Sequence, residues 1–229
     1  MPTTQFTTPS KANVIMDTTY FKRSFGIMVL MDSISGKALF VSEVKHETNE
    51  LYAQAIGSLK AKGIAIQSIV CDGRRGLPQM FANMDIPVQL CQFHQVKTIS
   101  RYLTRNPKTE AGKALWRLVL TLKNSTQSNF ERNLEAWSEQ YQNYLNERTI
   151  NPETGKSRYT HQKLRSAYSS LKRNLDYLFV FEKYPELGIH STTNLLDGAF
   201  AGLKRHLACH HGMKKENKIR FIKDYFSIK

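Results

Sequence analysis

Between residues 14 and 45 the chain repeats a short apolar run three times, as "VIMDTTYF", "FGIMVLMD" and "ALFVSEVK". Runs of this length, rich in β-branched and aromatic residues and separated by turn formers, predict strands. The turn-rich "DSISGK" joins the last two, so an antiparallel meander is expected. From Thr48 to Lys62 the period lengthens to that of a helix, with Leu51, Ala55, Ile56 and Leu59 on one face and Gly63 as the stop signal. "AIQSIVCDG" predicts a fourth strand, "LPQMFANM" a short helix, and "IPVQLCQF" a fifth strand running into a helix from His94 to Leu103. Long helices are expected from about Lys113 to Phe179. Two apolar stripes support them, Phe130, Leu134, Trp137, Tyr141 and Leu145, then Leu164, Tyr168, Leu171, Leu175 and Leu178. Such stripes read as packing faces, and "NPETGKSR" between them reads as a turn.

Three strands, a helix, a strand, a helix and a strand make a mixed α/β layer order. That order resembles the ribonuclease H-like fold, a mixed five-stranded sheet with flanking helices, here with a helical insertion before the last catalytic helix. A crossover connection puts the fourth strand parallel to another strand of the sheet. The resemblance, not the pattern, sets it beside the first. On this reading residues 1–105 are the first part of the core, 106–185 the helical insertion and 186–229 the C-terminal part of the core.

Asp17 breaks the first apolar run. An ionised carboxylate in a strand that is otherwise buried is costly without a positive partner. Asp72 ends the fourth strand, and neighbouring strands lie about 4.8 Å apart, so the two carboxylates could share a hard cation. Taken singly, each Asp is more often a strand-end or turn residue than a ligand. In "HSTTNLLDGAFAGLKRHL", Asn194, Asp197, Ala201 and Lys204 fall at helical spacing. Asp197 could be a third ligand there, or an acid that complements the helix dipole. Three carboxylates on separate elements are what two-metal phosphoryl transfer requires, with Mg²⁺ (or Mn²⁺) as the pair of ions.

Composition narrows the partner. The chain has 33 Lys and Arg against 19 Asp and Glu, a net charge of +14, which favours a polyanion such as nucleic acid. Cys71, Cys91 and Cys209 are an odd, widely spaced set, read as reduced thiols in a cytosol-like compartment. "MPTTQFTTPSK" has no signal-peptide core, and "FGIMVLM" is too short to span a bilayer. A soluble, cytoplasmic protein without a membrane partner is expected.

The ordered segments "MDTTYF", "VCDGRRGL", "QLCQFH", "STTNLLDGAFAGLKRHL" and "HHGM", from Val14 to Phe226, resemble the catalytic part of Mutator-like bacterial insertion-sequence transposases with a DDE-type site. The resemblance implies divalent metal, DNA cleavage and joining at the element's ends, and a homo-oligomer when active. It puts Asp17 and Asp72 at the first two acidic positions. Asp197 stands where the family usually has Glu, one methylene shorter. Cys91 and His94 match the family's Cys-x-x-His signature, with His94 expected near the scissile phosphate or orienting the site, and Asn194 as further support. The alternative is a small buried thiol beside a hydrogen-bonded histidine. A zinc site would need further ligands, for which Cys209, His210 and His211 are the complement available. Ala208 and His211 occupy positions where the family is basic. The family also carries an upstream DNA-binding module, and this sequence begins about a dozen residues before its first strand, so end recognition is expected to be lost or supplied elsewhere.

DNA is expected along Arg74 and Arg75, which adjoin Asp72, along Lys204 and Arg205 just past Asp197, and along the run that includes Lys163 and Arg165. Two other readings stay open: a ribonuclease H-like nuclease that cuts without joining, and a truncated derivative that binds DNA without catalysis.

Overall fold

The computed structural model describes residues 9–22, 24–210 and 212–227. The first strands are β1 (Lys11–Phe21), β2 (Phe25–Asp32) and β3 (Ala38–Val44), an antiparallel meander. Asp32 closes the turn between β2 and β3: its carboxylate accepts from the Asn13 and Ser35 N–H groups, and Gly36 takes the left-handed conformation at φ +69°. Helix α1 (Asn49–Ala61) starts at Thr48, whose hydroxyl accepts the Leu51 N–H at 3.2 Å. The chain then crosses to β4 (Ala65–Cys71), α2 (Leu77–Ala82) and β5 (Val88–Leu90).

The sheet order is β3-β2-β1-β4-β5, with β4 parallel to both β1 and β5. An antiparallel meander followed by parallel strands added on the far side of β1 is the ribonuclease H-like arrangement, so the fold is the mixed α/β one expected. Every residue of β2 is buried, because both faces of the sheet are covered. Side chains alternate across the sheet. Val14 and Met16 of β1 join one core cluster, and Ile15 joins the other.

Helix α3 (Gln92–Leu103) follows β5 directly. It begins at Gln92, so Gln92 and Phe93 are helical rather than the end of a strand, and the fifth strand is only three residues long. Helices α4 (Glu110–Leu120), α5 (Gln127–Gln140), α6 (Gln142–Asn146) and α7 (Gln162–Leu178) follow. Their buried residues, Leu115, Phe130, Leu134, Trp137, Leu171 and Leu175 among them, belong to the same cluster as Val14 and Met16. Between α6 and α7 a hairpin stands where a bare turn was expected, formed by β6 (Arg148–Ile150) and β7 (Ser157–Tyr159). Arg165 of α7 holds it: its guanidinium lies 3.6 Å from the centroid of the Tyr159 ring and donates to the Leu145 carbonyl at 2.7 Å. The second face of the sheet is covered by α8 (Val180–Lys183), α9 (Asn194–Ala208) and α10 (Lys215–Ser227), through Val180, Leu196, Leu203, Ile222 and Phe226. No helix among the described residues is long and apolar enough to cross a membrane.

Candidate active site

Asp17 lies two positions past Ile15 on β1 and therefore emerges on the face covered by α9. Helix α9 carries Asp197 in its first turn and packs against β1. His94 comes from the first turn of α3. One ligand atom from each of Asp17, His94 and Asp197 lies within 4.8 Å of the others, and all three residues are partly buried. Among the described residues this is the one group of three such side chains that could hold a metal ion.

Each charge in the group depends on the others. Burial pushes the Asp17 carboxyl up to about 7, against the opposing pull of the Thr18 N–H bond at 2.8 Å and of His94, and the nearby charges of Asp197 and Asp72 add to the rise. His94 is raised to about 9, chiefly by its hydrogen bond with Cys91, while burial opposes the change and the two aspartates assist it. At neutral pH His94 is thus an imidazolium, the positive partner that a carboxylate inside β1 requires. Burial opposes the Cys91 thiolate, but hydrogen bonds with His94 and Thr193 outweigh it and leave the thiol below its ordinary value.

Cys91 also explains how His94 and Asp197 meet. It caps the start of α3, and its Sγ accepts from the Thr193 N–H at 3.3 Å and the Thr193 hydroxyl at 3.4 Å. Thr193 caps α9, is fully buried, and contacts the Asp197 carboxylate at 3.2 Å. The Gln92 N–H donates to the Ser191 carbonyl at 2.9 Å. The N-termini of α3 and α9 are therefore tied to each other, which places His94 and Asp197, each in the first turn of its helix, side by side.

Asp72 sits beside this group rather than in it. It lies two residues past Val70, whose parallel partner on β1 is Ile15, so it stands level with Asp17, one residue past the end of β4 while Asp17 is still within β1. Its charge reaches Asp17 and Glu47. Its Oδ1, however, accepts the Arg74 N–H at 3.1 Å, so the turn that ends β4 satisfies the carboxylate locally. Of the three expected aspartates, Asp17 and Asp197 lie in this group with His94, and Asp72 lies alongside, close enough for its charge to raise the Asp17 carboxyl. Asn194 is exposed, and its backbone N–H donates to the Thr192 hydroxyl at 3.5 Å.

Of the basic residues expected on DNA, Arg75, Lys163, Lys204 and Arg205 are exposed. Arg74 donates to Asn49 at 2.8 Å and pairs loosely with Glu47 at 3.9 Å. Arg165 is committed to the hairpin. Cys209 and His210, at the end of α9, form no cluster with Cys91 and His94, and His211 lies outside the described residues.

Two features were not read from the sequence. Glu47, just before the α1 cap, has its carboxyl raised by burial and by Asp72 and drawn back by a 2.8 Å hydrogen bond from the Tyr52 hydroxyl. Tyr52 also bonds Thr18, the neighbour of Asp17, at 2.9 Å, so a polar chain runs from β1 through Tyr52 and Glu47 to Arg74. The second is "QLCQFHQ". Gln89 and Gln92 both donate to the Leu178 carbonyl at 2.9 Å, and Gln95 donates to Ser170 at 3.2 Å, fastening α7 beside the site. Only the spacing of three glutamines hinted at it.

The donor set suits a hard divalent cation. Asp17 and Asp197 supply oxygen ligands, and the upward shift of a buried Asp17 is the cost that a cation would relieve. His94 can join as a ligand only after losing its proton.

Among solved structures, the chain is similar to the catalytic core domain of HTLV-2 integrase in complex with magnesium. The dimeric form is 18% identical, with 64% of this chain and 91% of that one covered, at a TM-score of 0.29. For the trimeric form the figures are 19%, 64% and 92%, at 0.30. Scores this low leave the fold assignment to rest on the strand order. No protein-family profile matches the sequence, and no curated protein matches it.

Proposed function

We propose that the protein is the catalytic part of a DDE-type DNA transposase of the Mutator-like class, cutting and joining DNA strands at the ends of an insertion sequence. The observation that carries the reading is the meeting of Asp17, His94 and Asp197, from β1, α3 and α9, in a chain of net charge +14. Bound divalent cations would polarise the phosphoryl group and offset charge on the attacking and leaving oxygens. Asp17, Asp72 and Asp197 are the residues that would hold these ions. His94, as an imidazolium, offers a hydrogen bond to a non-bridging phosphate oxygen and neutralises developing charge. Arg75 and the α9 bases Lys204 and Arg205 grip the flanking phosphates. Water attacks first, releasing a 3′ hydroxyl that then attacks target DNA, and two ends are brought together by two copies of the chain.

The test is strand cleavage and strand transfer on end-containing duplex DNA with Mg²⁺ or Mn²⁺, with Asp17→Asn as the control. Metal-dependent transfer that vanishes in the variant is expected. Cleavage without transfer would assign the chain to a nuclease, and DNA retention without cutting would assign it to a binding protein.

A further inference from the structure

Beside the acids, on the side away from α9, lies a cavity of about 590 Å³ between the turn after β4, α3 and α7. His94 and Cys91 line one edge, so it opens off the site described above. That volume is in the range of small-ligand sites. Arg74, Arg75 and Arg173 line it and no acidic side chain does, which selects an anion. Arg75 and Arg173 are exposed, and among the described residues neither guanidinium has an acidic partner.

The remainder of the lining is not a phosphate site alone. Tyr102 and Tyr177 contribute aromatic surface, with Tyr177 fixed by a 3.0 Å hydrogen bond to Gln79. Asn174 is held by a bond from its Nδ2 to Gln95 at 2.9 Å, which leaves its carbonyl oxygen and one N–H for a ligand. It stands against Gly73, directly after Asp72: a Cβ there would lie 3.8 Å from its Nδ2. A free amide donor and acceptor next to aromatic walls match the edge and face of a nucleobase.

We propose that this cavity receives one unpaired nucleotide of a DNA strand, its base against Tyr102 and Asn174 and its phosphate against Arg75 and Arg173. The inference rests on the transposase reading in one respect, that the neighbouring phosphate of the same strand lies at Asp17 and His94. Helix α7, in the stretch inserted before the last catalytic helix, would then read the substrate as well as pack on the core.

The experiment uses the full chain carrying Asp17→Asn in EDTA, so that nothing is cut. The probes are a labelled 20-base-pair duplex with one unpaired adenine and the same duplex with an abasic residue in its place. About tenfold tighter binding of the adenine duplex is expected, the scale of one base stacked on an aromatic side chain. Tyr102→Ala should remove that preference while affinity for the abasic duplex holds, Asn174→Ala should reduce it, and Arg173→Ala, at an exposed position, should weaken both. Equal affinity for the two duplexes, or a preference that survives Tyr102→Ala in a variant that melts like the parent, would overturn the proposal. Free dAMP binding more tightly than the bulged duplex would assign the cavity to a free nucleotide and overturn it too. Metal-dependent cleavage by the unmodified chain is scored separately. Discrimination without cleavage sinks the transposase reading alone, and cleavage without discrimination sinks this one alone.

Discussion

The charge state of Asp17 is the most consequential single-residue property, because burial lifts its carboxyl from 3.8 to about 7. A folded pKa above the unfolded one means that the ionised form opposes folding. The contribution to stability is whole below about 4 and is lost as pH rises through about 7. Without metal, the melting temperature relative to Asp17→Asn should therefore fall between pH 5 and pH 8. Cation binding has the opposite sign, since the ligand must be ionised. The rise in melting temperature produced by Mg²⁺ should be small at pH 5.5, large at pH 8 and absent in Asp17→Asn, as read by differential scanning fluorimetry. A Mg²⁺ shift of the same size at both pH values would contradict the assignment. The second residue prediction concerns Asp197, whose carboxylate is one methylene shorter than the Glu usual in the resembled family. Asp197→Glu should retain or raise metal-dependent cleavage, and complete loss in a folded variant would show that Asp197 is not a ligand.

At the scale of elements, the site depends on how α3, α7 and α9 are fastened to the sheet, and the fastening is uneven in how far the sequence reveals it. The meander β1 to β3 and helix α1 were legible because their apolar periods are strong and Thr48 is an evident cap. Asp17, Asp72, Asp197 and His94 were each legible as candidates, but not that His94 would stand within 4.8 Å of Asp17 and Asp197. That meeting turns on hydrogen bonds between residues about a hundred positions apart, Cys91 with Thr193, which no periodicity records. The hairpin was missed for a different reason. Its strands are three residues each and almost wholly exposed, so they show no alternation, and their order comes from Arg148 and Arg165 flanking Tyr159. Arg165→Ala should accordingly loosen this element specifically. Protease cleavage within residues 150–158 should accelerate severalfold, with a fall in melting temperature of a few degrees, in line with losing about 1 kcal/mol. Unchanged cleavage there would show that the hairpin is held by its own ladder.

For the molecule as a whole, the surplus of positive charge matters through where it lies relative to the acids. Arg75 is three residues past Asp72, and Arg173 faces the same cavity from α7. Lys204 lies seven residues past Asp197 on α9, about 10 Å along the helix axis at 1.5 Å per residue. Bases thus flank the acid group on two sides, so a duplex with one phosphate at Asp17 would be held both upstream and downstream. Lys215 adds less, since it is paired with Glu43. Binding of this kind releases counterions, and its affinity falls with salt in proportion to the number of phosphates neutralised. For the Asp17→Asn protein, a plot of log affinity against log salt should be linear and steep. Replacing Lys204 and Arg205 together with Ala should reduce the slope by about 2, at roughly 0.9 for each phosphate that is no longer neutralised. Both side chains are exposed, so the variant should melt like its parent. A slope left unchanged by that double substitution would place the duplex on the α7 side alone and take α9 out of substrate binding, leaving Asp197 as the one residue of that helix engaged with DNA chemistry.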